Sequence, residues 1–284
     1  MSLLAVVCGC ATPPVVERGA VLTNVLYRSG TLSAYERERC VLDLYLPDKR
    51  SGFATLVWFH GGGLTQGSKD KVDREVDTPA IARSLARGGV AVVMPNYRLS
   101  PKAAFPAYVE DAAAAVAWTC AHIAGHGGDP HKIFVGGHSA GGYLTLMVGM
   151  DGRYLQQSGV PLSALAGLIP VSGQVMTHYT VRAERGLGKF SVTADEAAPV
   201  FFARKAPPPM LVLWADRDMA ARAEENAYLV ALLQGAGHKG VTGRVIANRT
   251  HGSVAGQMVN DRDPARLATL EFIGKICAGQ DNVQ

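Results

Sequence analysis

The run Lys132-Ile133-Phe134-Val135-Gly136-Gly137-His138-Ser139-Ala140-Gly141-Gly142 constrains the fold of this chain more tightly than any other segment. A β-branched and aromatic stretch ends in a glycine-flanked serine, and Tyr143-Leu144-Thr145-Leu146-Met147 continues with helical character. The spacing Gly137-x-Ser139-x-Gly141 is that of a sharp strand-to-helix turn that lifts a serine hydroxyl above a sheet edge. Glycine is needed on both sides because such a turn leaves no room for side chains against the neighbouring strand and helix. A serine hydroxyl is a weak nucleophile, so the turn matters only if a base reaches it and donors can hold an oxyanion.

Upstream, the apolar run Thr55-Leu56-Val57-Trp58-Phe59 leads directly into His60-Gly61-Gly62-Gly63. Bare glycine backbone can approach a ligand and present amides to it, as an oxyanion-binding loop requires. Three glycines after a strand also suit an ordinary tight turn, but the order, glycine loop first and serine turn second, favours the oxyanion reading. Gly62, Gly63 and Ala140 are the expected amide donors, with His60 bracing the loop.

A base and its orienting acid are expected after the serine, in the order Ser, Asp or Glu, His. The apolar run Met210 to Trp214 delivers Ala215-Asp216-Arg217-Asp218, and the stretch Val241 to Ile246 leads to His251-Gly252-Ser253. His251 follows the last strand, where a loop can carry it over the serine, and is the expected general base. Asp218 is favoured as the acid by its Ala-x-x-Asp spacing, while Asp216 could fix the turn backbone or pair with Arg217.

Strands and helices alternate along the rest of the chain. Val41 to Leu46 alternates and stops at Pro47, Ala80 to Arg87 reads as a helix ended by Gly88-Gly89, and Val90 to Met94 is a continuous apolar strand. Ala107 to His122 is an alanine-rich helix, Leu165 to Val171 a strand, and Ala223 to Leu233 and Pro264 to Cys277 are helices. This alternation argues for an α/β chain with a mostly parallel sheet covered on both faces. The irregular segment 172–208 suits a small cap, with Met176, His178, Tyr179, Phe190, Phe201 and Phe202 available to cover the site or to pack on the sheet edge.

With 284 residues, 48% hydrophobic and 18% charged, the chain can bury one large core. A net charge of +4 with scattered Lys and Arg gives no basic stripe, so no nucleic-acid partner is expected. No apolar stretch reaches the length of a membrane-spanning helix. Leu3 to Cys10, followed by Ala11-Thr12-Pro13-Pro14, is similar to the end of a bacterial lipoprotein signal lacking its charged start. Residues 1–20 are therefore expected to be a truncated signal segment and tail, with a lipid anchor at Cys10 and a periplasmic or membrane-anchored location rather than a cytoplasmic one. Cys40, Cys120 and Cys277 show no paired spacing. Gly235 to Gly240 satisfies Gly-x-Gly-x-x-Gly but follows a helix and opens none, which excludes the dinucleotide reading. His122 and His126 sit beside helix-breaking glycines without a completing ligand set, so no metal is expected.

Taken in order, His60-Gly61-Gly62-Gly63, Asn96-Tyr97-Arg98-Leu99-Ser100-Pro101, Phe105 to Ala112, Gly137 to Gly142, Asp218 and His251 give a chain that resembles the α/β-hydrolase superfamily. Within it the chain is similar to the hormone-sensitive-lipase-like and feruloyl- or acetylxylan-esterase-like carboxylesterases. The resemblance implies one α/β-hydrolase domain over 21–284 with a cap insertion at 172–208, and a tie between Arg98 and Asp111. It also implies a serine carboxylesterase that uses Ser139, Asp218 and His251, holds the oxyanion on Gly62, Gly63 and Ala140, and needs no cofactor. Its substrate would be a small or carbohydrate-linked ester. An arylformamidase or other amide hydrolase shares the constellation, and a catalytically silent binding domain could keep the scaffold. Arg182, Arg185, Lys189, Arg204 and Lys205 make the insertion partly polar, which points to short acyl groups rather than lipid.

Overall fold

The computed structural model describes residues 21–48, 51–188, 191–203 and 207–281. The segment 1–20, with Cys10, lies outside the described residues, as do Lys189, Phe190, Arg204 and Lys205 of the insertion. The strands are β1 (Val21–Leu26), β2 (Val41–Tyr45), β3 (Phe53–Phe59), β4 (Ala91–Pro95), β5 (Gly128–His138), β6 (Leu165–Val171), β7 (Met210–Arg217) and β8 (Val241–Thr250). They form one eight-stranded sheet in the order β1-β2-β4-β3-β5-β6-β7-β8. β2 pairs antiparallel with both β1 and β4, and every pair from β4 onward is parallel. Around the sheet lie α1 (Ala34–Arg39), α2 (Thr78–Arg87), α3 (Ala107–His122), α4 (Ala140–Met150), α5 (Arg153–Gln157), α6 (Tyr179–Glu184), α7 (Arg222–Gly235), α8 (Ser253–Gly256) and α9 (Pro264–Asp281).

The central strands read as unbroken apolar runs because both faces are covered. All seven residues of β3 are buried. Val57, Phe59 and Val135 point into one cluster with Val116, Leu144 and Met147 of α3 and α4. Leu56, Trp58 and Phe134 point into the other, with Ile81 and Leu85 of α2 and Ala265 and Ile273 of α9. Successive side chains thus serve opposite layers, and each fully buried large one contributes about 1.5–3 kcal/mol.

Helix α2 starts two residues before the position expected from periodicity. The Asp77 carboxylate accepts from the Ala80 amide at 2.8 Å, and Pro79 fits the first turn, where its missing N–H has no partner to lose. The lead-in, to which the sequence pattern assigns no element, carries β1 and α1. Ser33 and Glu36 close a reciprocal cap at the start of α1. Arg39 at its end is buried and donates to the carbonyls of Tyr97 (3.0 Å) and Gly67 (3.1 Å), so this short element braces the loop after β3.

The described residues of segment 172–208 include α6 and a 3-10 turn at Pro199–Phe202. His178 and Phe202 are buried and Met176 is half-buried, while Phe201 is exposed. Tyr143 of α4 donates its hydroxyl to the Ala197 carbonyl at 2.8 Å, fastening this segment to the helix behind Ser139. Among the described residues no helix is long and apolar enough to cross a membrane. The parallel strands β3, β5, β7 and β8 all end on one edge, where His60, Ser139, Asp218 and His251 follow them.

Candidate active site

At the end of β5 the chain reverses through Ser139, whose backbone lies at φ 58, ψ −115, a conformation rarely adopted by a residue with a side chain. The surroundings hold it there. The Ser139 amide donates to Val171 of β6 at 2.9 Å, and its carbonyl accepts from Tyr143 at 3.0 Å. A Cβ on Gly141 would overlap the Phe59 carbonyl, and one on Gly137 would stand 2.7 Å from it. These are the close approaches that the flanking glycines were expected to permit.

The serine hydroxyl meets His251. Ser139 Oγ donates to His251 Nε2 at 2.8 Å, and His251 Nδ1–H donates to Asp218 Oδ1 at 2.5 Å, a tautomer fixed by the pairing itself. The structure therefore brings three of the sequence-predicted residues into one hydrogen-bonded line. Asp218 takes three further bonds: from Ser172 Oγ (2.5 Å), the Met219 amide (2.8 Å) and the Ala215 amide (3.2 Å). Burial pushes the Asp218 carboxyl up, but the bonds from His251 and Ser172 outweigh it and hold the group below the usual carboxylate range.

Asp216 does other work. Its two oxygens accept from the amides of Asn248 and Arg249, both at 2.9 Å, where the β7–β8 register shifts. These backbone bonds lower its pKa, and they fix the end of β8 three residues before His251. His251 is steadied from behind by His138, whose Nε2–H donates to the His251 carbonyl at 2.6 Å. Burial, reinforced by the nearby His251, pushes the His138 imidazole down to about 3, so it is a neutral donor.

The glycine loop lies against the serine. The His60 ring stacks on Tyr97 with centroids 4.3 Å apart, and its Nδ1–H donates to the Gly61 carbonyl at 2.7 Å. Burial pushes its imidazole down to about 3. It braces the loop, as expected, and Tyr97 hydroxyl donates to its carbonyl at 2.8 Å. Gly62 adopts φ +120, and a Cβ there would overlap the Gln66 carbonyl, so glycine is required. Thr180 Oγ1 donates to the Gly63 carbonyl at 2.5 Å. Gly62, Gly63, Ser139 and His251 line a cleft of about 220 Å³ whose rim includes Gln66, Lys71, Glu75 and Tyr179.

Sequence reasoning did not single out Ser172, Thr180, Arg39 or the bracing bond of His138. Ser172 had a signal: it directly follows a parallel strand on the edge where ligands bind in such sheets. Thr180 and Arg39 had none, since their partners are carbonyls distant in sequence. The Arg98–Asp111 tie is present and bidentate, at 2.8 Å for each side-chain contact, with the Arg98 amide (2.9 Å) and Arg28 (2.6 Å) also donating to Asp111. His122 instead stacks on Trp118 and bonds its carbonyl at 2.7 Å. Among the described residues no three His, Cys, Asp or Glu side chains converge as a metal site would require.

A family model described as BD-FAE matches residues 42–164. The carboxylesterase NlhH of Mycobacterium tuberculosis is 32% identical over 155 residues, covering 54% of this chain and 43% of that protein. The esterase LipQ of the same organism is 26% identical over 241 residues, covering 78% of this chain and 55% of that protein. The chain thus spans about half the length of these curated relatives. A truncated carbohydrate esterase from gut microbiota superposes with a TM-score of 0.73 at 20% identity, covering 94% of this chain and 99% of that one. Esterase B from Lactobacillus rhamnosis superposes with a TM-score of 0.74 at 18% identity, covering 94% and 90%. The eight-stranded sheet, its strand order, the serine turn and these likenesses agree on the architecture: the chain has the α/β-hydrolase fold.

Proposed function

We propose that this protein is a serine carboxylesterase acting on short-chain acyl esters of small or carbohydrate alcohols. The observation that carries the reading is the continuous line Ser139–His251–Asp218, opening into a cleft beside the Gly62–Gly63 loop. Ser139 Oγ attacks the acyl carbonyl as His251 Nε2 takes its proton, and the ionised Asp218 stabilises the imidazolium that results. The amides of Gly62, Gly63 and Ala140 receive the oxyanion. Collapse of the tetrahedral intermediate expels the alcohol, which takes the proton back from His251. The same imidazole then activates water to release the acid from the acyl-enzyme. All proton movement is carried by side chains of this chain, so the cycle needs no cofactor.

A cleft of about 220 Å³ is below the size of most drug-sized sites and suits a small acyl group. The names of the relatives, a carboxylesterase and an esterase, support the reaction class. Hydrolysis of p-nitrophenyl acetate by wild type and Ser139→Ala tests the reading. A folded Ser139→Ala protein should lose several orders of magnitude in kcat. Near-normal turnover in that variant would remove Ser139 from the mechanism. Wild-type kcat/KM should peak between acetate and butyrate, and a maximum at decanoate or longer would overturn the short-chain assignment.

A further inference from the structure

Segment 172–208 is attached to the glycine loop at Gly63, one of the expected oxyanion residues. Thr180 of α6 donates its hydroxyl to the Gly63 carbonyl, pinning the Gly63–Leu64 peptide directly after the expected oxyanion amides. The adjacent side chain, Tyr179, lines that cleft together with Gly63, Ser139 and His251. Gly63 has φ +63, and a Cβ built on it would overlap the Tyr179 hydroxyl, 2.0 Å away. The phenol oxygen therefore occupies the side-chain space of an expected oxyanion residue, and its residue lines the cleft.

Tyr179 is also held in place. Its amide donates to Gln174 Oε1 at 3.1 Å, and its ring packs on His178 with centroids 4.4 Å apart. His178 is itself buried, and its Nδ1 accepts from the Thr180 amide at 3.2 Å. A phenol is an effective hydrogen-bond donor on a side chain with few rotatable bonds, and a donor that is already oriented reorganises little when charge develops.

We propose that Tyr179 is a further catalytic residue of the ester hydrolase inferred above. Its O–H donates a hydrogen bond to the substrate carbonyl oxygen beside the Gly63 amide, and that bond strengthens as the oxygen becomes an oxyanion. The phenol keeps its proton throughout; the oxyanion reverts to a carbonyl when the alcohol leaves. The insertion then has a chemical role as well as a covering one, since it contributes a third kind of donor beside the Gly62–Gly63 and Ala140 amides. Oxyanion donors act mainly on kcat, because they bind the transition state more strongly than the ground state.

The test is Tyr179→Phe, which keeps the ring and removes only the hydroxyl. With p-nitrophenyl acetate, kcat should fall about tenfold to a hundredfold with KM within about twofold, less than the loss of a fully enclosed donor. The Ki of an alkyl trifluoromethyl ketone, which forms a tetrahedral oxyanion on a serine, should rise by the same factor. A merely structural tyrosine would not move that Ki in step with kcat. Fluorotyrosine at 179, which strengthens the donor without altering the packing, should tighten the same inhibitor and keeps the test open should Tyr179→Phe fold poorly. Unchanged kcat and Ki in the Phe variant, a change in KM alone, or no response to fluorination would each overturn the proposal. If wild type itself hydrolyses no ester, or Ser139→Ala matches it, the parent reading fails instead.

Discussion

The two halves of the candidate site are held by different means. The Ser139 turn and the His60–Gly63 loop are shaped by the backbone: strand β3 runs so close that a Cβ on Gly137 or Gly141 would meet its last carbonyl. The Asp218 and His251 half rests on two loops whose positions are set by side chains. Ser172 holds Asp218, Asp216 holds the end of β8, and His138 holds the His251 carbonyl. A site fixed by backbone contact tolerates few sequences and so leaves a motif. A site fixed by hydrogen bonds between distant loops can be built in many ways and leaves little trace.

The largest expected effect breaks the second half while leaving the first intact. On the proposed mechanism, Asp218→Asn removes the charge that would stabilise the His251 imidazolium and lets the imidazole adopt the unproductive tautomer. We expect kcat to fall about 10⁴-fold, the size of the equivalent change in a serine protease. Asp216→Asn should stay within about threefold of wild-type kcat, because it supports amides of β8 and not the imidazole. Steady-state kinetics on both variants decide it. The opposite ranking would make Asp216 the acid.

This contrast also explains what could be read from the sequence. The serine turn, the glycine loop and the apolar strands were legible because steric exclusion and burial on two faces restrict residue type directly. The choice between Asp216 and Asp218 rested on spacing alone, since both sit at the end of the same strand, Asp216 within β7 and Asp218 directly after it. Only the register shift between β7 and β8, invisible in the sequence, sends one carboxylate to the backbone and the other to His251. β1 and α1 were missed because both are six residues long and stabilised by tertiary contacts such as those of Arg39, not by periodicity.

The next effect reaches both halves through their buried histidines. His60 supports the glycine loop and His138 supports His251, and burial pushes both imidazoles down to about 3. His178, behind Tyr179, is lowered well below its usual value for the same reason. An unfolded histidine titrates near 6.5, so between pH 6.5 and 3 the unfolded chain binds more protons than the folded one. Stability is therefore complete above about pH 6.5 and is lost as pH falls. At pH 5 the loss is about 2 kcal/mol for each of His60 and His138. Urea midpoints measured at pH 7.5, 6 and 5 should fall steadily, and His138→Gln should flatten the slope by one proton. A midpoint independent of pH over that range would mean that these imidazoles are solvated.

The smallest effect sharpens the comparison at a single atom. Ser172 is fully buried, and its hydroxyl donates to the Asp218 oxygen that His251 does not use. Ser172→Ala removes that donor, leaving the Ala215 and Met219 amides and His251 on the carboxylate. The Asp218 pKa should then rise towards its ordinary value, and the carboxylate gains freedom to rotate away from Nδ1. Because three partners remain, we expect kcat to fall only about tenfold, with KM unchanged, the size of one hydrogen bond to a charged group shared among several. If side-chain bonds between loops do position this half, the Ser172→Ala and Asp218→Asn losses will not add in the double variant, since the hydroxyl acts only through the carboxylate. Additive losses would show instead that Ser172 supports activity by another route, and that the Asp218 loop is held by its backbone as firmly as the serine turn is.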